Sequence, residues 1–117
     1  MQLQSRGWRP LGDAFIDVGT QSGVLATIYS DRVRDLADAA GGNAATLLGR
    51  AIAHEIGHLL QASNVHSTHG LMRPIWTREE VRRSRASDWM FTEREIAAIR
   101  RRLEAARIAA NIVWGTR

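Results

Sequence analysis

The sequence predicts a small α+β domain, a short N-terminal β-sheet followed by helices. Three observations predict it. Two β-prone stretches near the start flank a polar, Gly-bounded connection. Later stretches carry apolar residues at spacings of three and four, the period of a helix packed on one face. Two Thr-x-x-Glu capping boxes, at Thr77 and Thr92, announce helix starts. A length of 117 residues holds one domain, spanning 1–117.

The elements follow in order. Residues 14–18 are β-prone after the turn-like Leu11-Gly12-Asp13, and residues 24–29 are β-prone again. About five residues separate them, which predicts a hairpin or neighbouring strands. Ser30-Asp31 is a good N-cap for a helix carrying Val33, Leu36 and Ala37, and Gly41-Gly42 ends it. Asn43 or Thr46 starts the next helix, whose apolar face is Leu47, Leu48, Ala51, Ile52, Ile56 and Leu59, running to about Gln61. Residues 62–76 lack periodicity and read as a folded loop. Thr77 with Glu80 caps a short Arg-rich helix of roughly 78–85. Thr92 with Glu95 caps the last helix, whose stripe is Ile96, Ile99, Leu103, Ala106, Ala110 and Val113. That stripe is expected to cover the rest of the core.

Composition excludes several classes. There is no Cys, so disulfide scaffolds and thiolate zinc sites are out. No apolar run is long enough to span a bilayer. Residues 1–8 lack the apolar stretch of a signal peptide; the expectation is a cytoplasmic chain or one whose export segment has been removed. All 16 basic residues are Arg, and the formal net charge is +4. Residues 73–117 hold 11 of those Arg against 6 acids. This surplus raises one alternative, nucleic-acid binding through Arg78, Arg82, Arg83, Arg85, Arg100, Arg101 and Arg102. The acids interleaved among these residues weigh against it, as does the scarcity of aromatic residues for base stacking.

The chemistry sits in His54-Glu55-Ile56-Gly57-His58, an HExxH pattern inside the long helix. Residues four apart lie about 40° apart around a helix, so both imidazoles can reach one metal ion. Glu55, offset by about 100°, can accept a proton without ligating the metal. Gly57 weakens a helix, and close approach of another segment would explain it. Catalytic zinc usually takes three protein ligands, and Asn64, His66 and His69 are all close by. All four His fall within residues 54–69.

Residues 54–76 resemble the active-site segment of the metzincin zinc peptidases, with matrixins the nearest familiar branch. Gly70-Leu71-Met72 resembles the Met-turn beneath the zinc, and Pro74-Ile75-Trp76 the segment forming a wall of the side-chain pocket. The segment is similar also to a group of small bacterial zincin-like proteins with HE-[IL]-GHLLLG, N-x-HS and G-[IL]-M. Two departures stand out. Ala62 occupies the position of that group's Gly, and the third-His position of metzincins falls on Asn64, with His66 two residues later.

The resemblance implies a compact zincin-like domain of N-terminal sheet, active-site helix, Met-turn loop and C-terminal helices. It implies Zn²⁺ held by His54, His58 and His66, with His69 the other candidate for the third ligand. It implies a metallopeptidase acting on a peptide or protein substrate, with Glu55 as general base, Met72 as support and Trp76 as support or pocket wall. Residues 24–29 would line the cleft and pair with extended substrate. A catalytically idle zinc-binding module of the same fold is the second alternative.

Overall fold

The computed structural model describes residues 10–114. The chain begins with a hairpin. Strand β1 (Gly12–Asp17) and strand β2 (Ser22–Ile28) pair antiparallel, with Gly12 opposite Ile28 and Ala14 opposite Ala26. A bulge between Phe15 and Ile16 offsets the register towards the turn. Asp17 ties that turn by accepting from the backbone N–H of Gly19 and Thr20.

Helix α1 (Ser30–Ala40) follows directly. Its N-cap is Tyr29, and no side chain caps it, so the expected Ser30-Asp31 cap is replaced by a helix that starts one residue early. Gly41 ends it in the left-handed conformation. Helix α2 (Ala44–Gln61) is capped by Asn43, whose side chain accepts from Thr46 N–H. A loop of residues 62–77 leads to α3 (Arg78–Arg83), where Thr77 and Glu80 form the expected capping box. A 3-10 turn over Ala86–Trp89, unpredicted from the sequence, precedes α4 (Glu93–Trp114).

The core lies between α1, α2, the loop and α3. Val33, Leu36 and Ala37 of α1 meet Leu47 and Ala51 of α2, and Leu71, Met72, Trp76, Val81 and Trp89 close it from the other side. The buried line of α2 differs from the expected apolar face. Leu47, Ala51, His54 and His58 are buried, while Ile52 and Ile56 are exposed. These four buried positions repeat at helical spacing, so the core stripe runs straight into the histidines.

The expected role of α4 as a cover holds only for its first turns. Ile99 is buried, but Leu103 is 54% exposed and Val113 is exposed too. The outer half of the helix runs clear of the core, and the molecule measures 53 × 25 × 24 Å. Among the described residues, no helix is long and apolar enough to cross a membrane.

Candidate metal centre

Three histidines converge where α2 meets the loop. His54 and His58 sit one turn apart on the buried face of α2. His66 approaches from the loop and stands exposed at the rim. The Nε2 atoms of His54 and His58 lie 3.2 Å apart, and those of His58 and His66 also 3.2 Å. The three ring nitrogens all lie within 4.8 Å of one another.

The outer nitrogens decide the protonation of the inner ones. His54 Nδ1 lies 2.7 Å from Leu71 O, and His58 Nδ1 lies 2.7 Å from Ser63 O. A carbonyl oxygen only accepts, so each Nδ1 carries the proton and donates it. In a neutral ring the Nε2 then presents a bare lone pair. Burial holds the pKa of His54 down to about 3 and lowers that of His58. Both rings are therefore neutral near pH 7, and no proton bridges their 3.2 Å approach. Two bare lone pairs facing each other repel, and a cation between them turns that repulsion into attraction. His66 is lowered as well, by partial burial and then by the neighbouring His58. Three neutral imidazoles are a donor set for a divalent transition ion. Nitrogens about 2.0–2.1 Å from a tetrahedral zinc stand roughly 3.3 Å apart, close to the two short separations here.

Glu55 lies beside this cluster. Its Oε2 is 3.9 Å from His54 Nε2 and has no hydrogen-bond partner. The side chain is buried, and its backbone neighbour across the gap is Gly12 of β1. Burial pushes the carboxyl up to about 7, and the nearby Asp13 carboxylate adds to the shift. A group poised at that value takes and returns a proton near neutrality.

The loop beneath is tied at several points. Met72 is fully buried, with its sulfur against the open side of Gly57. Gly70 adopts a φ of +80°, and its Cα faces Met90 O so closely that a Cβ would stand 2.5 Å from it. Leu71 N–H donates to Met90 O at 2.8 Å, and Ser67 N–H to Met72 O at 2.9 Å. Buried Arg73 donates through Nε to Gly70 O and through a terminal nitrogen to Asp88 O, and it pairs with Glu80.

His54, Glu55, His58 and His66 thus come together, and Met72 lies below them as support. His69 does not join; it is exposed and meets Thr68 Oγ1 at 3.1 Å. Asn64 is exposed as well. Trp76 is fully buried, with its ring edge-on to His54 at 5.5 Å and to Trp89 at 4.7 Å. It braces His54 from the core side. The sequence reading missed the carbonyls of Leu71 and Ser63, because a backbone acceptor leaves no side-chain signal. It also missed Arg73, whose charge in a loop with no other Asp, Glu, Lys or Arg was the available clue.

Comparison with known protein families, curated proteins and solved structures finds no match to this chain.

Proposed function

We propose that this protein is a zinc-dependent peptidase with a metzincin-like centre, in which His54, His58 and His66 hold the metal and Glu55 is the general base. One observation carries the reading. Two neutral imidazoles, each with its proton spent on a carbonyl, aim bare nitrogens at each other beside a buried carboxylate oxygen with no partner. Zinc bound there would supply a Lewis acid and bring the pKa of a water towards about 7. The chain's own groups account for the remaining steps. Glu55 Oε2 accepts a proton from the attacking water as its oxygen bonds to the amide carbon. The same carboxyl, with its pKa raised to about 7, delivers that proton to the amine nitrogen as the C–N bond breaks. Leu71 O and Ser63 O hold the two helix imidazoles in one tautomer throughout. Among the described residues the sheet has two strands, so each presents an outer edge for pairing with an extended peptide, β2 among them.

The test has two parts. Elemental analysis of purified protein supplied with zinc should give one zinc per chain, lost in His54→Ala and in His66→Ala. Glu55→Gln should keep the zinc and lose peptide turnover by about 10²–10⁴-fold. Full turnover in Glu55→Gln would remove the peptidase mechanism. Zinc retention with no turnover even in the wild type would favour the idle module.

A further inference from the structure

We propose that Glu95 is a positioning residue for the metal centre: through Ser67 its second carboxylate oxygen fixes the loop that presents His66, and so helps to place the third ligand. The inference rests on the metal reading above. His54 and His58 need no such help. They ride on a helix, and a carbonyl orients each ring at 2.7 Å. His66 has neither advantage. It stands on an exposed stretch of loop, and its Nδ1 has no hydrogen-bond partner among the described residues. Its position is set by the residue after it. Ser67 N–H donates to Met72 O at 2.9 Å, and Ser67 Oγ donates to Glu95 Oε2 at 2.5 Å.

Capping alone does not account for Glu95. Its Oε1 accepts from Thr92 N–H at 2.8 Å, and its own N–H donates to Thr92 Oγ1 at 3.2 Å, which completes the capping box. That duty uses one carboxylate oxygen and can be met at the surface. Yet Glu95 is 6% exposed, with no cation paired to it among the described residues. The second oxygen is spent on Ser67, at the short distance of a charge-assisted bond. Met90, five residues earlier, grips the same loop through Leu71, whose carbonyl orients His54. The entry to α4 therefore holds both ends of the segment that completes the site.

The test is zinc affinity by competition with a chromophoric chelator, alongside the visible spectrum of the cobalt(II)-loaded protein and the melting temperature without metal. Ser67→Ala leaves the capping box intact. It should weaken zinc binding about tenfold or more, because the backbone that carries His66 loses its anchor and the ring its fixed placement. Its cobalt spectrum should lose intensity, and its metal-free melting temperature should barely move. Ser67→Thr, which keeps the hydroxyl, should restore the affinity. Thr92→Ala is the control; it should lower the melting temperature by a few degrees and leave zinc affinity within about threefold. Wild-type affinity and spectrum in Ser67→Ala would overturn the proposal. So would an affinity loss in Thr92→Ala equal to that in Ser67→Ala, since the effect would then belong to the stability of α4. A wild-type protein that binds no zinc is a different result, and it overturns the metal reading itself.

Discussion

At Gly57 the helix omits a side chain so that Met72 can lie beneath the histidines. A Cβ there would stand 2.6 Å from Met72 Sδ and 2.8 Å from Phe91 Cε1. Two effects compete in Gly57→Ala. Ala is the better helix former by about 1 kcal/mol. Overpacking costs about 1–3 kcal/mol, and fully buried Met72 has little room to retreat. The second wins, so Gly57→Ala should lose roughly 1 kcal/mol in urea unfolding; a gain in stability would mean that Met72 swings aside freely. This position was legible in the sequence, because a Gly inside HExxH asks for a close neighbour. The imidazole pair, Glu55 and His66 were legible for the same reason, that side-chain chemistry at fixed spacing survives in the letters. Ala62 was not. It ends α2 with a φ of +48°, a left-handed conformation that a side chain resists.

Elements were read from periodicity, and periodicity reports a face without naming its partner. The hairpin, the ends of α2 and both capping boxes appear as expected, since turns and caps are local chemistry. The stripe of α4 has the right spacing along its whole length, yet only its first part meets α2. A truncation series along this stripe separates the two halves. Ile99 is 8% exposed, so Ile99→Ala should cost about 2–4 kcal/mol in chemical denaturation. Leu103, one turn on and 54% exposed, should cost less than about 1 kcal/mol. Equal losses at both positions would mean that the outer half of α4 is covered in solution. The face of α2 teaches the complementary lesson. Hydrophobicity alone points Ile52 and Ile56 to the core, yet the histidines hold the buried positions, because the site is built as an extension of the core.

For the whole molecule, charge and burial combine into a pH response. The Arg surplus is partly answered locally, by Glu79 to Arg82, Asp88 to Arg83 and Glu104 to Arg107. Exposed pairs of that kind change stability little. The buried groups matter more, and they pull in opposite directions. His54, His58 and His66 all have folded pKa values below the usual 6.5. Their contribution is fully present above about pH 6.5 and is lost on acidification, because the unfolded chain then takes up protons that the folded chain refuses. For His54, with a folded pKa of about 3, the full loss is of order 5 kcal/mol. Glu55 works the other way: raised to about 7, it favours the folded state at low pH and loses that benefit as pH climbs from about 4.5 through 7. Between about pH 4.5 and 6.5 the three histidines oppose the one carboxyl and outweigh it. The metal-free protein should therefore melt at progressively lower temperature from pH 6.5 to pH 5, taking up about one to two protons on unfolding. Zinc should steepen the decline, because ligand nitrogens must be free of protons to bind it. Calorimetry at three pH values with and without zinc measures both slopes. A melting temperature that rises towards pH 5 in the metal-free protein would make Glu55, rather than the histidine cluster, the dominant buried group of the fold.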